Sequence, residues 1–139
     1  MTLVVDASVA LKWFLEEAGS DRAAALLDRD DLLIAPDLIV AEVCNAGWKA
    51  VRTGTALPAQ LDIAAGRLAV VLDELVPLRG LAADAVTAAL ALDHPVYDGF
   101  YLALAVQREA RLVTADRRLL GKVGGTRWAG FVTGLADFE

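Results

Sequence analysis

The sequence has few of the residues that cross-link a chain or anchor it in a membrane. Cys44 is its only cysteine, so no intrachain disulfide can form, and we expect a reducing compartment. No apolar run is long enough to span a bilayer, and Asp6 interrupts the first apolar segment too early for a secretory leader. We therefore expect a cytoplasmic protein without a membrane anchor.

Basic residues are also in the minority. The chain has 13 lysines and arginines against 19 aspartates and glutamates, a net charge of −6. This balance argues against a protein whose whole surface attracts nucleic acid, but it leaves room for a local basic groove. Apolar residues make up 57% of the 139 residues, enough for the core of one domain over residues 1–139. We expect part of that apolar surface to be covered by another chain.

Short apolar segments alternate with helical patterns along the chain. The predicted strands are 2–6, 32–35, 75–78, 111–114 and 131–133. The predicted helices are 7–14, 22–28, 37–53, 58–71, 81–92 and 97–110, with a short helix or turn at 117–121. Because the strands are apolar on both faces, we predict an α/β fold, a three-layer α/β/α sandwich around a mainly parallel sheet.

Four carboxylates stand in apolar surroundings, where an isolated charge is costly. They are Asp6, Glu42, Asp98 and Asp116. Asp6 and Asp116 each follow a predicted strand, Asp98 is near a helix start, and Glu42 is about one turn inside its helix. Sites in parallel sheets lie outside the carboxyl ends of the strands, so these side chains are expected to meet there. Their repulsion calls for a cation, and Mg²⁺ takes oxygen ligands, so the pattern predicts an acidic metal pocket.

Each carboxylate also has an ordinary structural explanation. Helix capping accounts for the aspartates near helix starts, and turn formation accounts for Asp116. Glu42 is harder to explain, because a residue inside a helix neither caps nor turns. It would need an intrahelical partner such as Asn45 or Lys49. Four such coincidences in one short chain favour a shared site.

The order and surroundings of the acids resemble the PIN-domain family and, within it, the VapC-type toxins of prokaryotic toxin–antitoxin pairs. The matching stretches are residues 4–13, 35–43, 96–105 and 112–120. The resemblance spans residues 3 to 120, and its strength lies in the order of the motifs rather than in any one of them. The family's fold is an α/β/α sandwich with a parallel sheet, which agrees with the fold predicted above.

The resemblance implies a function as well as a fold. The family's acidic residues correspond to Asp6, Glu42, Asp98 and Asp116, which would bind Mg²⁺ or Mn²⁺ and cleave RNA. It also implies a homodimer and a cognate antitoxin as partners. Trp48 is then either a core residue or part of the dimer interface.

Three further residues are candidates for supporting roles by the same resemblance. Ser8 and Thr114 match hydroxyl positions that accompany the family's acids, and they would hold a carboxylate or a water at the metal. Helix capping and turn formation are the ordinary alternatives for these two. Lys12 either faces the scissile phosphate or is a solvated surface lysine. Gly99 departs from the family, which commonly has alanine or a larger residue there, and we expect it to loosen the helix start.

Other functions fit the residues less well. A haloacid-dehalogenase-like phosphohydrolase needs a second aspartate where this chain has Ser8, and a dinucleotide-binding domain needs a Gly-x-Gly-x-x-Gly that is missing after the first strand. His94 is the only histidine, which excludes a histidine-pair ribonuclease mechanism, and its place before Pro95 predicts a loop residue. A PIN-like domain that binds a partner without catalysis remains the non-enzymatic alternative.

Overall fold

Five short strands form one parallel sheet in the computed structural model, which describes residues 1–139. The strands are β1 (Thr2–Val5), β2 (Leu32–Pro36), β3 (Glu74–Val76), β4 (Arg111–Thr114) and β5 (Val132–Gly134). Their order across the sheet is β3-β2-β1-β4-β5, and every neighbouring pair is parallel. The predicted parallel sheet is confirmed, with all five predicted strands present.

Seven α-helices connect the strands. They are α1 (Ala7–Ala10), α2 (Ser20–Leu27), α3 (Leu38–Arg52), α4 (Pro58–Val71), α5 (Ala82–Leu92), α6 (Val96–Gln107) and α7 (Arg117–Val123). The predicted helix over 7–14 is a single α-helical turn continued by a 3₁₀ turn at Leu11–Trp13. The short segment predicted as a helix or turn at 117–121 is the helix α7. No helix is both long enough and apolar enough to cross a membrane.

The helices cover the sheet in two groups. Those from α1 to α4 carry the chain from β1 through β2 to β3, and α5 and α6 then return it to β4. Crossover connections between parallel strands are right-handed. The chain passes along the sheet in one direction through the first group of helices and in the other direction through the second, so the two groups lie on opposite faces of the sheet. Helix α6 packs across β1, β2 and β4, and α3 packs against α1 and α4. This is the predicted three-layer α/β/α sandwich.

The direction of strand addition reverses between β1 and β4. From β1 the chain builds outward to β2 and β3, and after returning it builds the other way to β5. In open parallel sheets a crevice forms at such a reversal, outside the carboxyl ends of the two strands. Asp6 and Asp116 follow those two strands. The topology therefore brings the two predicted acids to the crevice.

The core is built on the central strand. Leu3, Val4 and Val5 are fully buried, and they belong to a cluster of 31 buried residues that runs from the first strand to Leu135. Apolar side chains on both faces of a strand require cover on both sides, which the two helix groups supply. The hydrophobic effect thus fixes β1, and with it the position of Asp6.

Helix α3 buries a different face from the one that its spacing predicted. The helical spacing predicts one shared face for Leu38, Ala41, Cys44 or Asn45, Trp48 and Val51. The buried residues are instead Ile39, Val43 and Gly47, and Trp48 is 50% exposed. The core interpretation of Trp48 is therefore wrong. Helix α3 is apolar on more than one side, so periodicity alone does not select the core face.

The two ends of α3 are closed in different ways. Asp37 stands at the N-cap position, a good residue for capping, but its side chain makes no capping hydrogen bond. At the other end the helix stops where predicted, because Gly54 adopts a left-handed conformation with φ of 81°. The last turn is closed by the amide N–H of Thr53, which donates to the carbonyl of Lys49 at 2.9 Å.

Gly99 does not loosen the start of α6, contrary to expectation. It is buried where α6 meets α5, and a Cβ atom there would lie 2.4 Å from the carbonyl oxygen of Ala85. That distance is shorter than any real contact, and the obstacle is backbone. Gly99 therefore permits the close approach of the two helices, and this packing holds the N-terminal turn of α6 in place.

Candidate active site

The four predicted carboxylates lie at one edge of the sheet. Asp6 follows β1 and Asp116 follows β4, Asp98 is in the first turn of α6, and Glu42 is in α3. Their charges interact: that of Asp98 acts on Asp6 and Glu42, and that of Asp116 acts on Asp98. Asp98 is thus the common neighbour of the other three. We call these four residues the carboxylate cluster.

Asp6 is the most enclosed member of the cluster, with 4% of its surface exposed. Its Oδ1 accepts hydrogen bonds from the Ser8 hydroxyl at 2.5 Å and from the Val9 amide at 3.2 Å. Its Oδ2 accepts a hydrogen bond from the Thr114 hydroxyl. Asp6 therefore caps α1, as the helix-capping explanation predicted. Hydrogen bonds fix both of its carboxylate oxygens.

The hydroxyls of Ser8 and Thr114 also join the two central strands. Ser8 Oγ accepts from the amide of Ala115 at 3.0 Å, and Thr114 Oγ1 accepts from the amide of Asp116 at 3.0 Å. Each hydroxyl therefore donates to Asp6 and accepts from the backbone that follows β4. The predicted contact of both hydroxyls with an acid is present, and their contribution to catalysis remains a prediction.

Glu42 has a partner that the sequence did not identify. The buried hydroxyl of Tyr101, on α6, donates to Glu42 Oε1 at 2.6 Å. Glu42 makes no hydrogen bond or ion pair with Asn45 or Lys49, so the intrahelical explanation is wrong. Burial and the charge of Glu42 both raise the pKa of Tyr101, which keeps its proton and can only donate to the carboxylate. The position of Tyr101, one helical turn after Asp98, was the available signal.

Asp98 is held by the only histidine. His94 lies in the loop between α5 and α6 as predicted, but its ring is 6% exposed and its Nε2 is 2.5 Å from Asp98 Oδ2. Asp98 itself is the third residue of α6 and does not cap that helix. The spacing of four residues between His94 and Asp98 was the missed signal, and it was obscured by the intervening Pro95.

Asp116 makes only backbone contacts. Its Oδ1 accepts from the amides of Arg118 at 2.9 Å and Leu119 at 3.4 Å, so it caps α7. Capping therefore describes its contacts better than the predicted turn does. Both capping hydrogen bonds use Oδ1 of Asp116, so its Oδ2 has no partner in the protein. Asp116 can therefore cap α7 and also act in the site.

Burial is the main cause of the raised pKa values in the cluster. It raises the pKa of Asp6 to about 6 and also raises the pKa values of Glu42 and Asp98. Repulsion between carboxylates adds to each increase, while hydrogen bonds from Ser8, Tyr101 and His94 oppose it. None of the four carboxylates forms an ion pair with a lysine or arginine. Their negative charge is thus only partly compensated.

The cluster is not a closed set of metal ligands in this arrangement. No three Asp, Glu, His or Cys side chains are close enough together to bind one ion. The four acids lie at one edge of the sheet, yet each side chain is turned toward its own hydrogen-bond partners. Ligation of a shared cation would therefore need changes in side-chain orientation, and the shared metal site stays a prediction.

Lys12 lies beside the cluster rather than in open solvent. Its side chain is 13% exposed, and its Nζ is 3.5 Å from Glu17 Oε1. It lines a groove whose wall includes Thr114 and Ala115, at the end of β4. Lys12 is therefore not a solvated surface lysine. Its contact with the scissile phosphate stays a prediction.

The raised pKa of Asp6 predicts that the metal-free protein loses stability as pH rises. The folded state keeps this proton up to about pH 6, whereas an unfolded aspartate releases it near 3.8. The stabilisation is therefore complete below about pH 3.8 and is lost as pH rises through about 6, a change of roughly 3 kcal/mol. Urea unfolding in EDTA across this range measures it.

Asp6→Asn is the matched control for this measurement. Asp31 and Glu74 have lowered pKa values and change the stability in the opposite sense, so the parent alone gives a mixed result. The variant keeps those two groups and removes only the Asp6 titration. We expect a smaller loss of stability between acidic and neutral pH in the variant. An identical pH dependence in both proteins contradicts the assignment.

Comparison with known proteins identifies the family of the chain. The chain belongs to the PIN-domain family, because the model of the PIN domain matches residues 3–125. It is 32% identical over 127 residues to Ribonuclease VapC3 of Pyrobaculum aerophilum, covering 88% of this chain and 95% of that protein. All four carboxylates of the cluster lie within residues 3–125, the part of the chain that the family model matches.

Solved structures show the same fold. PAE2754 from Pyrobaculum aerophilum superimposes with a TM-score of 0.68 at 23% identity, covering 98% of this chain and 85% of that one. VapBC2 from Rickettsia felis, bound to a DNA fragment from their promoter, matches with a TM-score of 0.64 at 11% identity, over 96% and 98% of the two chains. At these identities the likeness concerns the fold alone.

Proposed function

We propose that this PIN-domain chain is a divalent-metal-dependent endoribonuclease and the toxin of a toxin–antitoxin pair. The observation that carries the proposal is the carboxylate cluster, which is gathered around Asp98 and has no lysine or arginine paired with it. The relative named Ribonuclease VapC3 supports RNA as the substrate. The fold shared with VapBC2 supports an antitoxin as the partner.

The donor chemistry of the cluster fits a hard divalent cation. Carboxylate oxygens are the preferred protein ligands of Mg²⁺, and Mn²⁺ accepts the same set. Asp6, Glu42, Asp98 and Asp116 would hold the ion, and its charge would offset the repulsion that raises their pKa values. When bound, such an ion lowers the pKa of a coordinated water and stabilises charge on phosphoryl oxygens.

The surrounding residues position the acids for this role. Ser8 and Thr114 fix both oxygens of Asp6 between β1 and β4. Tyr101 holds one oxygen of Glu42, and His94 holds one oxygen of Asp98, so each keeps a second oxygen without a protein donor. These four neighbours hold the acids at one edge of the sheet, and ligation of a shared cation would reorient the carboxylates from this arrangement.

Water is the nucleophile that the site can use. Cys44 is in α3 outside the cluster's hydrogen bonds, and His94 is engaged with Asp98. Cleavage is then hydrolysis, in which a bond forms from water oxygen to phosphorus and the bond to the leaving ribose oxygen breaks. The attacking water loses a proton and the leaving oxygen takes one up. The acids orient the reacting groups and remain chemically unchanged.

The other two functions lose support. Family membership and the Ser8 hydroxyl, which donates to Asp6 where a dehalogenase-like enzyme needs an aspartate, count against a phosphomonoesterase. All four family acids are retained at the expected edge, which favours catalysis over partner binding alone. Residues 1–139 are proposed to act as one domain, supported by their single core cluster.

The protein is proposed to act in the cytoplasm as a homodimer. Large apolar side chains are exposed on α3 and α4, namely Trp48, Ile63 and Val70. Exposed apolar groups of this kind are typical of interaction surfaces. We expect a dimer in sedimentation at micromolar concentration, with Trp48→Ser shifting it toward monomer. A parent that sediments as a clean monomer contradicts the dimer.

Cleavage should depend on the carboxylate cluster and on the metal together. Asp98→Asn removes one charge and one ligand while keeping the side chain's shape. We expect RNA cleavage at fixed Mg²⁺ to fall by at least about 100-fold, since one group loses both ligand binding and transition-state stabilisation. EDTA should abolish cleavage by the parent. Gel analysis of a labelled single-stranded RNA measures both.

Asp62→Asn is the matched control for this experiment. Asp62 is an exposed aspartate on α4, so the same chemical change there should leave cleavage at the parental rate. Release of phosphate from a small phosphomonoester tests the dehalogenase-like alternative in the same preparation. Near-parental cleavage by Asp98→Asn, or cleavage that persists in EDTA, would rule out the proposed site.

A further inference from the structure

A groove beside the carboxylate cluster carries an excess of positive charge on an acidic protein. It has a volume of about 510 Å³ and lies between α2, the end of β4, the start of α7 and the C-terminal segment. Three cationic side chains line it, Lys12, Arg22 and Arg117, against one carboxylate, Asp137. The local charge is therefore +2, from three positive groups and one negative, on a chain of net charge −6.

The two arginines of the groove are not neutralised within the protein. Arg22 and Arg117 are exposed and form no ion pair or side-chain hydrogen bond. Two other arginines are neutralised by carboxylates: Arg108 binds Glu74 at 2.6 Å, and Arg29 binds Asp31 at 2.6 Å. Free guanidinium groups that share one groove are suited to bind phosphate, because their donors match its oxygens.

Lys12 is pre-ordered at the inner side of the same groove. Its aliphatic stem lies over Gly19, where a Cβ atom would be 3.6 Å from the lysine Cδ and Cε. With 13% of the side chain exposed and one long contact to Glu17, the ammonium has little freedom and weak compensation. A cation held in this way contacts an incoming anion at small entropic cost.

The groove reaches residues that contact the carboxylate cluster. Its wall includes Thr114 and Ala115; Thr114 donates to Asp6, and the amide of Ala115 donates to Ser8. Asp116 and Arg117 are consecutive, so α7 starts with a carboxylate in the cluster and a guanidinium in the groove. An anionic polymer in the groove would thus have one end at the acids.

We propose that this groove binds the phosphate backbone of single-stranded RNA next to the scissile bond, through Lys12, Arg22 and Arg117. The inference rests on the proposed ribonuclease function and adds the path of the substrate to it. Contacts to phosphates carry no sequence information, so the groove supplies affinity and register while leaving base preference to other parts of the surface. It also explains how a protein of net charge −6 holds a polyanion beside an acidic site.

The salt dependence of binding tests this proposal. Each phosphate contact to single-stranded nucleic acid adds about 0.7 to the slope of log K against log salt concentration. Binding of a fluorescein-labelled 12-nucleotide RNA is measured by anisotropy in the Asp98→Asn background with Mg²⁺, so that the probe is not cleaved. We expect Arg22→Gln with Arg117→Gln to weaken binding and to make the slope shallower by about 1.4.

Arg67→Gln is the control, because Arg67 is an exposed arginine on α4 without an ion pair. It should leave affinity and slope unchanged. In the cleavage-competent protein, the double variant should raise KM with little change in kcat, as expected for lost uniform binding. An unchanged slope in the double variant, or an equal change in Arg67→Gln, overturns the groove. A parent that binds the probe and cleaves no RNA instead contradicts the ribonuclease function.

Discussion

Buried negative charge at the carboxyl edge of the sheet is the constraint on which the site depends. The hydrophobic core fixes β1, and the reversal of strand order places β4 beside it, so Asp6 and Asp116 are brought together whatever their charges. Helix packing adds Asp98, and burial together with repulsion raises the pKa values around it. Core packing therefore creates an electrostatic cost that local interactions must offset.

The protein offsets part of that cost with hydrogen bonds from several elements. Ser8 and Thr114 serve Asp6, Tyr101 serves Glu42, and His94 faces Asp98. These hydrogen bonds link β1 to β4 and α3 to α6, so they also join the layers at this edge. Because they are weaker than full ion pairs, they leave the cluster receptive to a cation. The basic groove lies next to this hydrogen-bond network, so carboxylates and cationic side chains lie along one surface.

The fold was predictable because its signals are local. Apolar strands, Pro58 at a helix start and Gly54 at a helix end each determine nearby structure. The positions of the acids followed from the topology of parallel sheets and from the family resemblance. The partners of the acids did not follow, because Tyr101 reaches Glu42 only through the packing of α6 near α3, 59 residues away in sequence. The buried face of α3 was missed for the same reason: tertiary packing chose between two apolar sides.

Metal-dependent stabilisation is the most direct test for a cation shared by the four acids, because it reports on the cluster without requiring a substrate. A cation that binds only the folded state raises the melting temperature, and the rise grows with the affinity and the concentration of the cation. Thermal melts of the parent and of Asp98→Asn in EDTA and in Mn²⁺ give the comparison. We expect a clear rise for the parent, a smaller rise for the variant, and a variant at least as stable as the parent in EDTA. No shift in the parent, or equal shifts in both proteins, would contradict a cation shared by these four acids.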